Sequence, residues 1–280
     1  MAPSFGSVLA TIDRWGTEHA AAAVVGPAGV LASHGDMERV LRWASVTKLV
    51  TALAVLSTVE AGVIYLDEPA GPPGSTVRHL LAHASGLGFE GDAILAAPGT
   101  MRIYSNPGFD RLGELAATRL GMSFESVVRG RILDPVGMTG ISVVGRPSHG
   151  LVGPLSAMAG LARELLRPTT ISATTLDGAT RVVFPGLRGV LPGVGRFDPL
   201  DWGLGFELRD RKVPHWTGAL NASSTFGHFG GSGSFLWVDP ELDHALVCLT
   251  DREFGPWALE AWPALSDAVI GAIREGAGGS

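Results

Sequence analysis

The segment WASVTKLVTALAVL, residues 43–56, places a serine and a lysine three positions apart at the start of a long apolar run. The spacing predicts a helix with Ser45 and Lys48 on one face and their Cβ atoms roughly 5–6 Å apart. Ser45 would lie in the first turn, where unpaired N–H groups and the helix dipole stabilise negative charge. Burial of Lys48 in an apolar helix would favour its neutral, proton-accepting form. The pair is therefore a candidate nucleophile and base.

Two other stretches contain side chains that could take part in catalysis. In residues 104–106, Tyr-Ser-Asn, a phenol and an amide stand just before Pro107, which can open a helix. A nearby ammonium such as that of Lys48 would lower the pKa of the Tyr104 phenol. In residues 228–231, His-Phe-Gly-Gly, an imidazole precedes two glycines. Glycines let a ligand approach the backbone, and a strand-edge N–H there could face an oxyanion.

Each stretch alone has a structural interpretation that is more common than a catalytic one. A Ser-x-x-Lys pair is usually a capping serine followed by a solvated lysine. The other two stretches would usually be an ordinary turn and a bulge. His79 and His83, four apart on a predicted helix, are interpreted as structural, because no glutamate follows His79 and no third zinc ligand is evident. We predict no metal and no cofactor.

Length and composition exclude several classes of protein. The 280 residues are enough for a large core, and 46% hydrophobic with only 17% charged residues favours a compact globule. The net charge is −6, and the sequence contains no long run of charges of one sign. Both observations argue against a nucleic-acid partner. Cys248 is the single cysteine, so no intrachain disulfide can form. Residues 1–16 lack the pattern of a signal peptide, and the apolar run 49–59 is too short to span a bilayer. We expect a cytoplasmic protein without membrane contact.

Hydrophobic periodicity divides the chain into strands and helices. Predicted helices cover residues 5–16, 45–62, 107–120, 123–133 and 155–166, with a closing helix that begins properly at Pro263. Predicted strands cover residues 19–25, 29–33, 39–43, 202–208, 225–234, 235–238 and 244–250. Residues 170–200 have weak periodicity and receive no assignment.

This order of elements predicts an α+β fold. The simplest arrangement is one antiparallel sheet built from both chain ends and flanked by helices, with a mostly helical middle lobe. We expect one unit over residues 1–280. Residues 1–65 and 200–280 would form the sheet lobe, and residues 66–199 the mostly helical lobe.

Taken in order, the three stretches resemble the motifs of the penicillin-binding-protein-like serine hydrolases, which include class C β-lactamases, D-Ala-D-Ala carboxypeptidases, D-aminopeptidases and related esterases. The motifs match in order: Ser-x-x-Lys at Ser45 and Lys48, Tyr-x-Asn at Tyr104 and Asn106, and Lys-Thr-Gly or His-x-Gly at His228 and Gly230. Residues 80–87, LLAHASGL, resemble the family's Leu-Leu-x-His-x-Ser-Gly-Leu, and residues 133–138, LDPVGM, its Pro-Leu-Gly-Met segment. The likeness covers about residues 19–270 and implies a β-lactamase/transpeptidase-like fold.

The resemblance also implies roles for these residues. Ser45 would attack a carbonyl and form an acyl-enzyme, with Lys48 and Tyr104 sharing the proton transfers in an order that stays open. Asn106 would orient Lys48 and the substrate amide. The backbone N–H groups of Ser45 and Gly231 would form the oxyanion hole. The substrate-binding residues implied are Asn106, His228, Phe229 and Gly230.

Two departures from the family pattern bear on the substrate. Phe229 stands where a threonine hydroxyl helps to hold a β-lactam or peptide carboxylate, and His228 stands where lysine supplies a permanent charge. The span from Gly88 to Tyr104 is also shorter than usual, which should remove or rebuild one wall of the pocket. These departures favour small neutral esters or amides, with weak or no β-lactam turnover.

Three alternatives remain beside an esterase-like hydrolase. The chain could be a β-lactamase or a D-amino-acid peptidase, or a non-catalytic module that keeps the fold for binding. An α/β-hydrolase is disfavoured because residues 230–234 fail the last position of Gly-x-Ser-x-Gly. The physiological substrate and the oligomeric state stay open.

Overall fold

A computed structural model describes residues 4–277 of the chain. Within this range the strands are β1 (Ala20–Gly26), β2 (Gly29–His34), β3 (Leu41–Arg42), β4 (Arg102–Ile103), β5 (Ser142–Val143), β6 (Leu151–Gly153), β7 (Gly189–Leu191), β8 (Gly195–Phe197), β9 (Glu207–Leu208), β10 (Phe226–Gly230), β11 (Ser234–Asp239) and β12 (His244–Thr250). The α-helices are α1 (Phe5–Leu9), α2 (Thr47–Glu60), α3 (Val77–Leu81), α4 (Asn106–Leu120), α5 (Phe124–Val128), α6 (Asp134–Val136), α7 (Leu155–Leu166), α8 (Ala173–Ala179) and α9 (Pro256–Ala277). Helical turns of 3-10 type cover Ala10–Arg14 and Ala44–Val46, and a π-helical turn covers Arg129–Leu133.

The main sheet confirms the predicted fold class. Its six antiparallel strands run in the order β2-β1-β12-β11-β10-β9, so strands from both chain ends meet at its centre. Strand β1 is buried on both faces because its side chains alternate between two cores. Ala21, Ala23 and Val25 face the core that includes α2, α4 and α7, whereas Ala22 and Val24 face the core that includes α1 and α9.

Helices α3 to α8 supply most of the regular structure in the middle of the chain, which also contributes strands to two small sheets. One has the order β3-β6-β5, and the other the order β4-β7-β8 with a parallel pair between β4 and β7. The prediction that residues 39–43 continue β2 is wrong, because Leu41 and Arg42 pair with β6 instead. No helix within residues 4–277 combines the length and apolar character needed to cross a membrane.

In the C-terminal half of the chain, the predicted start of one strand and the predicted start of the last helix are also wrong. Strand β9 covers only the last two residues of the predicted strand 202–208, because the chain turns at Gly205, where φ is +93°. Helix α9 begins at Pro256, which suits a first helical position, and Pro263 lies inside it. Ala258 and Trp262, both fully buried, pack the preceding turns into the core and extend the helix in front of Pro263.

Candidate active site

Ser45 lies in the 3-10 turn that connects β3 to α2, two residues before the α-helix begins at Thr47. The turn is fixed at Trp43, whose N–H donates to the Leu151 carbonyl at 3.0 Å and whose carbonyl accepts from Ser234 Oγ at 2.7 Å. The second bond joins the turn to β11, the neighbour of β10. Ser45 is half-buried and lines an open cavity, as a nucleophile must.

Lys48 lies at the centre of a set of polar contacts in the first turn of α2. Its Nζ is 3.3 Å from Ser45 Oγ and donates to Asn106 Oδ1 at 2.6 Å and to the Ser148 carbonyl at 2.9 Å. The side chain is completely buried, and Nζ also lies 4.8 Å from the centroid of the Tyr104 ring. The structure therefore brings together residues from the first two sequence stretches around one amine.

Burial changes the acid–base behaviour of this amine. Loss of solvation lowers the pKa of Lys48 to about 7, although the carboxylates of Asp110 and Glu90 act in the opposite direction. A substantial fraction of the side chain is then a neutral amine at neutral pH, with a lone pair available to accept a proton. This is the state that the apolar surroundings in residues 43–56 predict.

Tyr104 and Asn106 are positioned by the start of α4. Ser105 caps the helix by accepting a hydrogen bond from the Gly108 N–H at 3.1 Å, and Pro107 occupies the first turn, as predicted. His83, which follows α3, accepts from the Ser105 N–H at 3.0 Å and places its ring 4.5 Å from that of Tyr104. The buried His83 ring thus packs against the Tyr104 ring and helps to hold it in position.

The expected lowering of the Tyr104 pKa by Lys48 is wrong in direction. Burial raises the pKa of Tyr104 well above its ordinary value, and only the hydrogen bond with the Ser45 side chain opposes the rise. Tyr104 is consequently a neutral phenol at any ordinary assay pH, able to donate a hydrogen bond but not to act as a preformed base.

The third sequence stretch forms most of β10, which runs beside the Ser45 turn. His228 is buried, its Nε2 is 3.4 Å from the Tyr104 hydroxyl, and its Nδ1 is 2.6 Å from the Phe229 carbonyl. Burial and the charge of Lys48 lower the pKa of His228 to about 3. Gly230 fits against the turn because a Cβ there would lie 2.5 Å from the Trp43 carbonyl oxygen. Ser45 and Gly231 line the same cavity.

Three polar residues beside the site escaped the sequence analysis. Glu90 accepts from Asn106 Nδ2 at 2.6 Å, Asp110 accepts from the Ser148 N–H at 3.0 Å, and the Ser148 carbonyl accepts from Lys48. Asp110 lies one turn after Asn106 on α4, so the spacing of four could have indicated it. Glu90 and Ser148 lie in loops, where no periodic signal exists.

The cavity beside Ser45 has a volume of about 230 Å³ and mostly apolar walls. Its lining residues are Ser45, Phe89, Tyr104, Leu191, Pro192, Gly193, His228, Phe229, Gly231 and Phe254. Phe229 contributes to this wall and also packs against Phe254, with ring centroids 4.7 Å apart. The space suits a small molecule presented to Ser45 in apolar surroundings, with Lys48, Tyr104 and His228 as its polar neighbours.

The histidines that could have formed a metal site serve other contacts. His79 stacks on Phe184, with centroids 4.4 Å apart, whereas His83 lies among Tyr104, Phe109 and Trp202. Among the described residues, potential metal ligands gather only at Glu18, His19 and Asp251, and none of these lines the Ser45 cavity.

Comparison with known proteins places this geometry in context. Residues 16–269 match the family model described as Beta-lactamase. The crystal structure of a beta-lactamase from Mycobacterium bovis is 53% identical, with a TM-score of 0.93 over 95% of this chain and 99% of that chain. The search of curated proteins found no match.

Two distant structures share the fold. The LovD9 mutant of simvastatin synthase from Aspergillus terreus has a TM-score of 0.79 at 15% identity, over 97% of this chain and 98% of that chain. EstCE1, described as a hydrolase with promiscuous acyltransferase activity, has a TM-score of 0.74 at 17% identity, over 95% of this chain and 97% of that chain.

Proposed function

Because the chain belongs to the beta-lactamase family of serine hydrolases, we propose that it cleaves small neutral esters or amides through an acyl-enzyme on Ser45, with weak or no β-lactam turnover. One observation carries the proposal. A fully buried amine, that of Lys48, lies 3.3 Å from a half-buried serine hydroxyl at the edge of an apolar cavity. A hydroxyl, an amine whose pKa is about 7 and room for a substrate lie together, which supports the roles of nucleophile and base proposed for Ser45 and Lys48.

In the first step Ser45 Oγ attacks the carbonyl carbon while neutral Lys48 Nζ accepts the hydroxyl proton. Negative charge develops on the carbonyl oxygen, and the N–H groups of Ser45 and Gly231 are proposed to stabilise it. Loss of one such donor typically costs about 10²–10³ in rate. As the intermediate collapses, the bond to the alcohol or amine breaks, and the proton held by Lys48 passes to the leaving group through the Tyr104 hydroxyl.

In the second step water hydrolyses the acyl-enzyme. Tyr104 and His228 orient the water, Lys48 accepts its proton, and the new hydroxyl attacks the acyl carbon. The bond to Ser45 Oγ then breaks, the proton returns to the serine, and a carboxylic acid leaves. The pKa shifts support Lys48 as the base and Tyr104 as a hydrogen-bonding phenol, because Lys48 exchanges protons near pH 7 and Tyr104 stays protonated.

The preference for neutral substrates rests on the third stretch. With a pKa of about 3, His228 carries no charge that could pair with a substrate carboxylate. Phe229 offers no hydroxyl and turns its ring toward other aromatic side chains. An anionic β-lactam would therefore have to leave its carboxylate in mostly apolar surroundings, which is costly.

A second candidate function is β-lactam hydrolysis, which the 53%-identical beta-lactamase favours. A non-catalytic binding module is the third. The test uses p-nitrophenyl acetate, a chromogenic cephalosporin and a fluorophosphonate, with Ser45→Ala as the control. We expect Ser45-dependent ester cleavage, a fluorophosphonate adduct on Ser45, and little cephalosporin turnover.

The other outcomes separate the candidates. Strong cephalosporin turnover without ester cleavage would favour the β-lactamase. A folded protein that neither cleaves the substrates nor acquires the fluorophosphonate adduct would favour the binding module.

A further inference from the structure

The Ser45 cavity opens into a longer groove along the small sheet. Phe89, Tyr104 and Pro192 line both the Ser45 cavity and a second cavity of about 350 Å³. A third cavity, of about 470 Å³, shares Met101 and Val190 with the second. The three spaces are therefore adjacent, and we name them together the β7 groove because β7 contributes lining residues to each, with Pro192 and Arg188 flanking the strand.

The walls of the β7 groove are apolar although they face solvent. Phe89 is 50% exposed and Val190 is 47% exposed, and both lie beside the same cavity, so together they give an apolar surface that a ligand can reach. Arg102 also lines the groove, but its guanidinium is buried and donates to the carbonyls of Leu200 at 3.0 Å and Phe184 at 2.9 Å, among others. The middle of the groove thus offers apolar contact rather than hydrogen bonds.

One side of the groove is held in place by Tyr104 and Asn106, and the other by Phe254. The Phe89 carbonyl accepts from the Asn106 N–H at 3.1 Å, and the Phe89 ring stacks on Tyr104 with centroids 5.8 Å apart. On the other side, the tip of the β7–β8 hairpin packs against Phe254, because a Cβ on Gly193 would lie 2.6 Å from that ring. The groove is therefore an ordered extension of the Ser45 cavity.

The groove has a defined end. Arg188, Arg196 and Asp198 line its far side, and strand geometry places the two arginines on the same face of the small sheet as Val190. At about 3.3 Å per residue, the path from Pro192 to Arg188 is about 13 Å long. An apolar chain longer than this would meet guanidinium groups and water.

We propose that the β7 groove binds an extended apolar chain of the ester substrate, of medium length, while the scissile carbonyl lies at Ser45. This inference rests on the proposed hydrolase function and names its substrate class. The chain could belong to the acyl group or to the alcohol, since both leave the reacting carbon. Either source is recognised by the same burial of methylene groups against Phe89, Met101 and Val190.

The experiment compares kcat/KM for p-nitrophenyl acetate and p-nitrophenyl octanoate, both below their aggregation concentrations, in wild-type protein and Val190→Asp. Because a buried methylene contributes roughly fourfold, burial of even two of the six methylenes that octanoate adds would raise kcat/KM by about tenfold, and we expect at least this gain over acetate. Val190→Asp should lower the ratio of the octanoate value to the acetate value by about tenfold. Val144→Asp, at a valine that is 68% exposed and outside the groove, is the matched control and should leave this ratio unchanged.

Octyl acetate identifies the source of the chain. If Val190→Asp slows octyl acetate rather than p-nitrophenyl octanoate, the groove holds the alcohol; the reverse result assigns it to the acyl group. Cleavage of p-nitrophenyl acetate with no gain for p-nitrophenyl octanoate over p-nitrophenyl acetate, and none for octyl acetate over ethyl acetate, would overturn the groove assignment while leaving the hydrolase intact. No cleavage of any ester would instead reject the proposed function, and the groove assignment with it.

Discussion

The Tyr104 hydroxyl lies 3.4 Å from Nε2 of His228, while Nδ1 of the same ring lies 2.6 Å from the Phe229 carbonyl oxygen. A carbonyl can only accept, so Nδ1 carries the proton and Nε2 is left as the acceptor for the Tyr104 hydroxyl. With its pKa lowered to about 3, His228 keeps this neutral form throughout an ordinary assay range. The arrangement fixes the orientation of the Tyr104 hydroxyl through His228, while the Ser45 proton remains available to Lys48.

Loss of the His228 acceptor should therefore misorient Tyr104. We expect His228→Leu to lower kcat/KM for p-nitrophenyl acetate by about tenfold to a hundredfold, the range typical of positioned proton-transfer groups. His228→Gln retains a hydrogen-bond acceptor and should lose less. Steady-state kinetics of the two variants test this, and equal losses would show that the ring matters only for packing.

The pH dependence of the reaction should report Lys48. Since only the neutral amine accepts the Ser45 proton, kcat/KM should fall about tenfold per pH unit below about 7 and level off above it. The Asp110 carboxylate raises the pKa of Lys48, so Asp110→Asn should move the inflection to lower pH. Asp92→Asn removes an exposed carboxylate that pairs with Arg111 and serves as the control. A profile that stays unchanged in Asp110→Asn would contradict Lys48 as the titrating group.

Much of the frame around Lys48 could be predicted because local signals agree with the fold. The apolar run 43–56 and Gly62, where φ is +70°, delimit α2, and the 3.6-residue period of α7 gives its observed bounds, Leu155–Leu166. The Tyr-Ser-Asn-Pro order predicts the start of α4, since a capping serine and an early proline are both local preferences.

The features that shape the pocket depend on contacts between distant segments. Strands β4 and β7 contain two and three residues and pair in parallel across more than eighty positions, so neither has a periodic pattern of its own. The burial of Tyr104 among His83, Trp202 and Phe89 reverses the direction of pKa shift expected from Lys48 alone. Sequence spacing cannot show how completely a side chain is enclosed.

Gly230 and Gly231 should differ sharply in their tolerance of a side chain. A Cβ at Gly230 would lie 2.5 Å from both Ser234 Oγ and the Trp43 carbonyl oxygen, so alanine there must push the Ser45 turn away from β10. A Cβ at Gly231 would meet no atom within 4 Å. We expect Gly230→Ala to lower kcat/KM by about a hundredfold, because displacements near 1 Å have such effects, and Gly231→Ala to retain most activity. Similar activities for the two variants would contradict this tight fit.

Phe229 should contribute to stability as well as to the cavity wall. It is 8% exposed, and its ring lies 4.7 Å from that of Phe254 and 5.6 Å from that of Trp216. Phe229→Thr would restore the residue typical of the family motif but leave a void, and we expect the free energy of unfolding to fall by about 2–4 kcal/mol. Phe89→Thr, at a half-exposed ring, should cost less than about 1 kcal/mol. Urea denaturation measures both, and a Phe229→Thr variant as stable as wild type would show that the cluster repacks.

A buried ion network beside β9 should make a large, pH-dependent contribution to stability. Glu207 contacts Lys212 Nζ and His215 Nε2, each at 3.0 Å, and all three side chains are buried. Burial alone would raise the pKa of Glu207, but the charges of Lys212 and His215 outweigh it and lower the pKa to about 2. Glu207→Gln leaves Lys212 without its counter-charge, so we expect a loss of about 3–5 kcal/mol at pH 7.

Unfolding measurements at acid pH give an independent check of the Glu207 network. Since the folded pKa of Glu207 lies below its ordinary value of 4.5, its stabilisation is complete above pH 4.5 and declines as the pH falls toward 2. The difference in free energy of unfolding between wild type and Glu207→Gln should therefore narrow over this range. Glu125→Gln breaks an exposed pair with Arg129 and should cost about 0.5 kcal/mol. A gap between wild type and Glu207→Gln that stays constant from pH 7 to pH 2.5 would show that the loss comes from packing rather than from the buried charges.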